Sequence, residues 1–452
     1  MGRLFGTDGI HGTAVTELTC ELAMHTGRAM AVVLGRRSKR RVRIIVGKDT
    51  RISSDVIESA LCAGILSAGA DAVLLGTVPT PAVAHLVRAR TASGGVMITA
   101  SHRSVGYNGL RLFADTGYRL PDDIENEIEA LVYDSEGIIK AAVSSSKLGR
   151  LIHDERAAED YAKHILSTVN TDFGGMRIAI DCANGSACST VERIFSRRGA
   201  QIYLLNRAPD GLNINEKCGT VNTDMLRKFV TDNKCTLGLA FDGDAGRCIA
   251  VDEKGAVVDG DRLTAIFSKD LKERGLLNKD TAVVSAMTNM GFGKFAEANG
   301  INVVTTKVGD RYILEQMIRD DYSIGGEQSG YIIFKSSAST GDGELTAVQL
   351  LSLMRRTGKR LSELAAVMER YPQVMINVRI AEKWKEAWKN IPRIEELIGR
   401  HQETLGTAGR ILVRESGTEP FIRVMIEGRQ FDLVNRMAVE IADRIRECCP
   451  EE

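Results

Sequence analysis

The chain has 452 residues, too many for one ordinary hydrophobic core, so the length predicts several domains. Hydrophobic residues make up 44% and charged residues 26%, as in an average soluble globular protein. Lys+Arg and Asp+Glu each number 59, and this zero formal charge gives no indication of a nucleic-acid partner.

The nine cysteines are irregularly spaced and form no Cys-x-x-Cys, a pattern that indicates free thiols in a reducing compartment rather than a zinc site. No signal-peptide pattern opens the chain. The most apolar stretch, residues 60–78, contains Asp71 and three glycines, so it predicts a helix, a turn and a buried strand. We therefore expect a cytoplasmic protein without a membrane span.

The N-terminal part of the chain repeats a short β-branched run, a glycine-rich turn and an amphipathic helix. The pattern predicts strands at residues 43–47, 72–75 and 96–99, with a helix at 53–68. It restarts with strands at 177–180, and again at 282–285, 303–304 and 332–334. This alternation is typical of α/β architecture with buried strands, and indicates three related units.

The last part of the chain has a different pattern, which predicts a small α+β domain. Its predicted elements are strands at 374–380, 410–413 and 421–426, and helices at 383–399 and 433–448. A hairpin loop is expected at 415–420. Boundaries near residues 150, 254 and 368 then give four domains, 1–150, 151–253, 254–367 and 368–452.

The first loop whose side chains could take part in a reaction is the serine loop, residues 99–104. Ser101 directly follows a predicted buried strand, which would present its hydroxyl at the strand end. His102 beside it could orient that hydroxyl or exchange a proton with it. The alternative is an ordinary turn in which Ser101 caps the next segment.

The second is the carboxylate loop, residues 241–247. Asp242 and Asp244 follow an apolar run, and carboxylate oxygens are ligands that Mg²⁺ accepts together with phosphate oxygens. Gly243 between them would let the backbone fold tightly around an ion. The alternative is a turn whose Asp side chains bond their own backbone.

The third is the sugar loop, residues 325–330, with the sequence Gly-Gly-Glu-Gln-Ser-Gly. Its small residues allow close approach, and Glu327 and Ser329 could bond sugar hydroxyls. The alternative is a flexible connection without a ligand.

The fourth is the arginine loop, residues 414–423. Arg414 and Arg423 flank hydroxyls and exposed backbone amides at Ser416, Gly417 and Thr418. Guanidinium groups and an amide nest together suit a phosphate. The alternative is a solvated hairpin tip.

In order and spacing, these four loops resemble the active-site loops of the α-D-phosphohexomutase superfamily. The segments 5–10, 181–185 and 306–312, and Gln328 in the sugar loop, are most similar to the bacterial phosphoglucosamine mutases. The resemblance implies three α/β domains with mixed sheets and a smaller C-terminal α+β domain around a central cleft. The four domains would carry, in order, the catalytic serine, the metal loop, the sugar loop and the phosphate loop.

The resemblance also implies a mechanism. A phosphorylated Ser101 would exchange its phosphoryl group with a sugar phosphate through a sugar bisphosphate, interconverting glucosamine 6-phosphate and glucosamine 1-phosphate for cell-wall precursor synthesis. The implied catalytic residues are Ser101, His102 and Arg111. The implied Mg²⁺ ligands are Ser101, Asp242 and Asp244. The implied substrate-binding residues are Arg247, Glu327, Ser329, Arg414, Ser416, Gly417, Thr418 and Arg423.

The sequence departs from the family pattern mainly around the catalytic loops. Arg103 and Ser104 stand where Asn-Pro is usual, Arg111 replaces Lys, Gly246 replaces a third Asp, and His11 replaces Arg. Arginine keeps the positive charge but is a poor general base. Two interpretations follow, a working mutase with a modified centre or an impaired paralogue that binds sugar phosphates and regulates a protein partner. A homodimer is compatible with either.

Overall fold

The structure, a computed structural model, describes residues 4–6, 8–415 and 420–451. The chain forms two compact units. The first comprises residues 1–287 and 301–367, and the second comprises residues 288–300 and 368–452. The first unit contains three mixed sheets, and the second contains one antiparallel sheet.

The first sheet has six strands in the order β1-β5-β4-β2-β3-β6. Its strands are β1 (Ile10–Thr13), β2 (Arg43–Lys48), β3 (Asp71–Thr77), β4 (Gly94–Ile98), β5 (Tyr107–Ala114) and β6 (Leu151–His153). The helices of this part are α1 (Cys20–Arg37), α2 (Ile52–Ser67), α3 (Thr80–Ala89), α4 (Asp122–Tyr133) and α5 (Ser135–Lys140). The four residues from Ile44 to Gly47 in β2 are all buried, as expected for a strand covered by helices on both faces.

The second sheet has five strands in the order β11-β10-β9-β7-β8. The elements of this part are α6 (Ala157–Ser167), β7 (Arg177–Asp181), α7 (Val191–Phe195), β8 (Gln201–Leu205), α8 (Asp224–Asp232), β9 (Leu237–Phe241), β10 (Cys248–Val251) and β11 (Val257–Val258). Strand β9 is buried along its whole length, which agrees with the apolar run that precedes the carboxylate loop.

The third sheet has four strands in the order β13-β12-β14-β15. The elements that follow β11 are α9 (Gly260–Glu273), β12 (Thr281–Ser285), α10 (Met290–Ala298), β13 (Asn302–Thr306), α11 (Asp310–Asp320), β14 (Ile324–Gly326), β15 (Ile332–Phe334), α12 (Gly343–Thr357) and α13 (Leu361–Ala365). Helix α10 belongs to the second unit.

The three sheets of the first unit share one local arrangement. In each, a strand pairs parallel with one neighbour and antiparallel with the strand that follows it along the chain: β4 with β2 and β5, β9 with β7 and β10, and β14 with β12 and β15. The serine, carboxylate and sugar loops are the three connections into those antiparallel strands. This repetition agrees with the expectation of three related α/β units.

The second unit contains α10 and a three-stranded antiparallel sheet in the order β16-β18-β17. Its remaining elements are β16 (Gln373–Arg379), α14 (Trp384–Ala387), α15 (Pro392–Leu405), β17 (Gly409–Glu415), β18 (Phe421–Gly428) and α16 (Phe431–Cys448). The predicted continuous helix at 383–399 is wrong, because the chain breaks after residue 390 and α15 begins at Pro392. Proline has no N–H and restricts the residue before it, so it favours a first helical position over a helix interior.

Each unit has its own hydrophobic core. In the first unit, α1 and α2 pack on the inner strands of the first sheet, and in the second, α15 and α16 cover the three-stranded sheet. Across the described residues, we find no helix with the length and apolar character that a membrane crossing requires.

Candidate functional site

The serine loop turns sharply at Ser101. Strand β4 ends at Ile98, and Ser101 has a φ of 51°, in the left-handed region that non-glycine residues rarely occupy. Its backbone N–H donates to Thr99 Oγ1 at 2.9 Å, which holds the turn. Such backbone strain persists only where the surroundings impose it, and it is common at functional sites.

Arg51 imposes much of the shape of the serine loop. Its guanidinium is fully buried and donates to the backbone carbonyls of Ser101 at 3.2 Å, Arg103 at 2.8 Å and Ser104 at 2.5 Å. The same guanidinium pairs with the buried Asp49 carboxylate at 3.0 Å. Thr99 Oγ1 also donates to Asp49, at 2.7 Å. The loop is therefore held from beneath by a paired buried charge.

Asn215 and Gly243 hold the serine loop from the side of the second sheet. The side-chain amide of Asn215 donates to the carbonyls of Ser101 at 2.9 Å and Arg103 at 3.0 Å. A Cβ at Gly243 would lie 2.7 Å from the Ser101 carbonyl oxygen. Glycine is thus needed at 243 for this close approach. The left-handed residue of the carboxylate loop is Ala245, with a φ of 53°.

The hydroxyl of Ser101 meets the carboxylate loop directly. Ser101 Oγ donates to Asp242 Oδ2 at 2.6 Å, and the backbone N–H of Arg247 donates to Asp242 Oδ1 at 3.0 Å. Burial and the neighbouring Asp244 raise the pKa of Asp242 to about 7. Two buried carboxylates held close together form a site that favours a cation.

The hydrogen bonds of Asp244 leave one of its carboxylate oxygens available to a cation. Thr80, the first residue of α3, donates its backbone N–H to the Asp244 carbonyl at 2.9 Å and its hydroxyl to Asp244 Oδ2 at 2.5 Å. Asp244 Oδ1 is buried and has no hydrogen-bond partner in the described part of the chain. That oxygen, Asp242 and Ser101 Oγ together supply the hard oxygen ligands that magnesium prefers.

The candidate magnesium ligands include two carboxylates, Asp242 and Asp244. The described residues hold no cluster of three or more His, Cys, Asp or Glu side chains suited to a metal. Gly246 takes the position of the family's third Asp, and a Cβ there would lie 3.6 Å from Asp244 Oδ1. Magnesium commonly binds through one or two carboxylates with phosphate oxygens and water, so the set fits the ion but provides few protein ligands.

One cavity of about 200 Å³ unites most of the predicted residues of the first unit, and we name it the site cavity. Its lining residues are Asp8, Ser101, Arg111, Asp242, Asp244, Gly246, Arg247, Val308, Gly309, Asp310, Glu327 and Tyr331. His102 and Ser329 do not line this cavity, but each contacts a residue that does. His102 Nδ1 is 3.5 Å from Ser101 Oγ, and Ser329 Oγ donates to Glu327 Oε2 at 3.5 Å.

Arg111 is a fixed cation in the wall of the site cavity. It lies on β5, is buried, and pairs with Asp8 and with Asp310, the latter at 3.1 Å. Burial opposes its charge, but Asp310 and the neighbouring carboxylates raise the pKa of Arg111 overall. The guanidinium therefore contributes charge and position, and it cannot serve as a proton acceptor.

Burial contributes to the shifted pKa values of Glu327, His102 and His11. Burial and Asp310 raise the pKa of Glu327, whose Oε1 accepts the Gly309 N–H at 3.1 Å. The positive charge of Arg247, with burial, lowers the pKa of His102 to about 3. Burial, followed by the charge of Arg103, lowers the pKa of His11 to about 4. Both imidazoles are therefore neutral at neutral pH.

The second unit presents two arginines on neighbouring strands. Arg414 on β17 is directly opposite Arg423 on β18. Burial and the charge of Arg423 lower the pKa of Arg414. Guanidinium groups bind phosphate oxygens by charge-assisted hydrogen bonds, so two of them on adjacent strands suit a phosphate. Ser416, Gly417 and Thr418, which we also predicted to bind phosphate, lie outside the described residues.

The sequence interpretation missed the residues that hold the loops. Arg51, Asn215 and Thr80 act on positions at least 50 residues away, and no local pattern around them indicates that role. Asp8 and Asp310 were also missed, although both lie in segments that carry the family resemblance. The signal for those two was present in the motifs but was not assigned to a role.

Comparison with known proteins decides the family. Models of the phosphoglucomutase/phosphomannomutase domains match in chain order: alpha/beta/alpha domain I at residues 2–137, domain II at 159–255, domain III at 259–371, and the C-terminal domain at 375–444. The phosphoglucosamine mutase of Clostridium acetobutylicum is 47% identical over 446 residues, which cover 98% of this chain and 99% of that protein. This chain belongs to the phosphoglucomutase/phosphomannomutase family. The predicted superfamily is thereby confirmed.

Solved structures of the family share the fold. A phosphoglucomutase/phosphomannomutase family protein from Burkholderia thailandensis superposes with a TM-score of 0.81 at 18% identity, covering 99% of this chain and 98% of that one. Aspergillus fumigatus N-acetylphosphoglucosamine mutase, in complex with GlcNAc-6P and magnesium, superposes with a TM-score of 0.69 at 16% identity, covering 99% and 96%. The predicted α/β class with mixed sheets and a smaller C-terminal domain is confirmed.

The comparisons also bear on the two interpretations left open by the altered loops. They support the mutase, because the full-length relatives carry that name, and they give no support to the impaired regulatory paralogue.

Proposed function

We propose that this chain is a phosphohexose mutase, an isomerase that interconverts glucosamine 6-phosphate and glucosamine 1-phosphate for amino-sugar nucleotide and cell-wall precursor synthesis. The observation that carries the proposal is the 2.6 Å contact between Ser101 Oγ and Asp242 Oδ2 in a cavity also lined by Glu327 and Arg247. The 47% identity to a phosphoglucosamine mutase over nearly the whole chain supports the choice of sugar.

In the proposed reaction, Ser101 Oγ carries a phosphoryl group. A sugar hydroxyl oxygen attacks the phosphorus, the bond from phosphorus to Ser101 Oγ breaks, and a sugar bisphosphate forms. Transfer of the other phosphate back to Ser101 completes the isomerisation. The proton of the attacking hydroxyl ends on the Ser101 oxygen that is released, and we assign this transfer to His102, whose Nδ1 is 3.5 Å from Ser101 Oγ. Arg111 provides positive charge at a fixed position.

The family is magnesium-dependent. We assign Ser101, Asp242 and Asp244 as the residues that hold the ion, with the unpartnered Asp244 Oδ1 as the supporting observation. When bound, magnesium supplies positive charge that offsets the charge on the phosphoryl oxygens. Arg247, whose Nε is 3.9 Å from Asp242 Oδ2, adds a second cation on the same side.

The remaining predicted residues are assigned to substrate binding. Glu327 and Ser329, which are hydrogen-bonded to each other, are proposed to bind the sugar hydroxyls, together with Arg247. Arg414 and Arg423, with Ser416, Gly417 and Thr418, are proposed to bind the phosphate that is not reacting. Contacts to phosphate oxygens suit this task because the bisphosphate must be accepted in two orientations.

The domain ranges 1–150, 151–253, 254–367 and 368–452, with their four roles, belong to the same proposal. A sugar phosphate is the proposed partner, whereas a homodimer and a regulatory protein partner stay predictions from the sequence. We also propose a cytoplasmic location, which the nine free cysteines support.

A primed assay tests the proposal. The purified chain is incubated with magnesium, a trace of glucosamine 1,6-bisphosphate and glucosamine 6-phosphate, and glucosamine 1-phosphate is followed by ³¹P NMR. Mass spectrometry of the same sample locates phosphate on Ser101. Glucose 6-phosphate serves as the matched alternative substrate and should turn over more slowly. Binding of glucosamine 6-phosphate without any turnover would contradict the proposed activity.

A further inference from the structure

A second cavity, of about 350 Å³, lies beside the site cavity in the first unit, and we name it the side cavity. The chain segment from Arg111 to Asp122 forms one side of it, and α11 forms the other. Its volume falls within the range of small-molecule sites, and an engineered protein cavity of about 150 Å³ already holds benzene. The side cavity therefore has room for a compound of two fused rings.

The two cavities share one wall. Asp8, Arg111, Asp310 and Tyr331 line both of them. Arg111 is the centre of that wall, because it pairs with Asp8 and with Asp310. A compound in the side cavity would thus contact residues that also line the site cavity.

The lining of the side cavity selects the chemistry of its ligand. Its floor is apolar and includes Phe113, Leu120 and Leu314, and Ile318 adds an apolar side chain at the rim. The charged groups at its rim already satisfy one another. Arg311 pairs with Asp122 at 2.6 Å and with Glu315 at 2.5 Å, and Arg119 pairs with Glu125 at 2.8 Å. A charged ligand would have to break such pairs, whereas a neutral ring would only displace water from the apolar floor.

Helix α11 connects the two cavities mechanically. Leu314 and Ile318 on this helix line the side cavity, and Asp310 at its first position pairs with Arg111. The preceding residue, Gly309, donates its N–H to Glu327. A ligand that displaces the helix would therefore change the surroundings of both Arg111 and Glu327.

We propose that the side cavity binds one neutral, largely apolar two-ring compound, and that binding alters the environment of Arg111 through α11. The inference rests on the lining and the shared wall, and it goes beyond the proposed mutase activity. It assigns the chain a second ligand site, adjacent to the phosphosugar site and of opposite polarity.

Indole is a suitable probe for the experiment. Its dissociation constant is measured by NMR titration of the full chain, with indole-2-carboxylate as the charged counterpart. We expect saturable binding of indole at one site and at least tenfold weaker binding of the carboxylate. Absence of saturable indole binding, or equal affinity for both probes, would overturn the proposal.

Variants locate the site. Ile318→Trp, at a position 45% exposed on the cavity rim, fills the space and should weaken indole binding at least tenfold. Ile139→Trp, at a position 66% exposed outside the cavity lining, is the matched control and should bind indole as the wild type does. Thermal unfolding of both variants checks that they fold. Unchanged binding in Ile318→Trp would place indole elsewhere and refute the assignment.

The effect of binding on Arg111 is measured by NMR, without an activity assay. Its ¹⁵Nε signal, assigned by its absence in Arg111→Lys, should shift as indole saturates the wild-type chain, and should stay constant in Ile318→Trp. A constant signal in the wild type would refute the connection through α11. A crystal soaked with indole gives an independent check, since the ring should lie between Phe113 and Leu314. Loss of mutase activity alone would leave these outcomes unaffected, so failure of the proposed function is distinguishable.

Discussion

The serine loop and the carboxylate loop meet at one hydrogen bond, but they are held in different ways. Beneath the serine loop, both carboxylate oxygens of Asp49 and three loop carbonyls have partners, most of them supplied by Arg51. In the carboxylate loop, Asp244 Oδ1 is buried without a partner in the described residues, and burial with Asp244 raises the pKa of Asp242 to about 7. The protein alone satisfies the polar groups of the first loop, whereas the second keeps a buried carboxylate oxygen that the proposed cation would complement.

The largest expected effect comes from removing the reacting oxygen where the two loops meet. Ser101→Ala should lower turnover on the order of 10³-fold or more, because no other hydroxyl contacts Asp242 among the described residues. The assay is glucosamine 1-phosphate formation by ³¹P NMR, with mass spectrometry for the loss of phosphoserine. Ser104→Ala, in the same loop with an exposed side chain, is the control and should keep activity. Equal activity in wild type and Ser101→Ala would exclude the phosphoserine mechanism.

The next largest effect is expected from a substitution that removes the buried ion pair beneath the serine loop. Arg51→Met should lower the free energy of unfolding by about 3–5 kcal/mol, because Asp49 would stay buried without its cation and three carbonyls would lose donors. Urea unfolding at pH 7 measures it. Arg197→Met, which removes an exposed ion pair with Glu159, should have a far smaller effect. A loss below about 1 kcal/mol in Arg51→Met would mean that the loop is held by other contacts.

This contrast between the loops also explains what the sequence could predict. The serine, carboxylate and sugar loops were located from local patterns, because each follows an apolar strand and carries its polar side chains within a few residues. The contacts that hold these loops in place were not predictable, since Arg51 and Thr80 bind residues that are 50 and 164 positions away along the chain. Such pairings depend on the order of strands in the sheets, which a local pattern does not specify.

The helix prediction at 383–399 failed for a local reason instead. The charged, helix-favouring composition of that stretch continues across Pro392, but the chain needs a break there because proline cannot donate the bond that a helix interior requires. Here the sequence contained the decisive feature, Pro392, but the prediction gave more weight to the helix-favouring composition around it.

A smaller effect is expected from adding a carboxylate to the loop that lacks one. Gly246→Asp should increase magnesium affinity about tenfold, corresponding to about 1.4 kcal/mol, because it supplies a third negative oxygen ligand near Asp244 Oδ1. The new Cβ would make only ordinary contacts, the nearest at 3.6 Å, so the substitution should be accommodated. Isothermal titration with magnesium measures the change. Gly399→Asp on α15, where a Cβ meets nothing within 4 Å, adds the same charge elsewhere and should have no effect on affinity.

The contrast between satisfied and unsatisfied buried groups recurs away from the site, at a pair of stacked histidines. The rings of His85 and His164 lie 3.8 Å apart, and His85 Nδ1 is buried without a hydrogen-bond partner in the described part of the chain. Burial, followed by the charge of His164, lowers the pKa of His85 to about 3. Below pH 6.5 the unfolded chain binds a proton there that the folded chain does not, so stability falls as the pH decreases from 6.5 toward 3.

The smallest expected effect follows from that difference in proton binding. His85→Phe should make the loss of unfolding free energy between pH 7 and pH 5.5 smaller by about 1 kcal/mol, because the aromatic packing is kept and the titrating group is removed. Urea unfolding at the two pH values measures it in wild type and variant. His153→Phe, at an exposed position on β6, should show the wild-type dependence. If His85→Phe also kept the wild-type dependence, the proton uptake would have to be assigned to other groups, and an unsatisfied buried nitrogen would not by itself make this fold sensitive to acid.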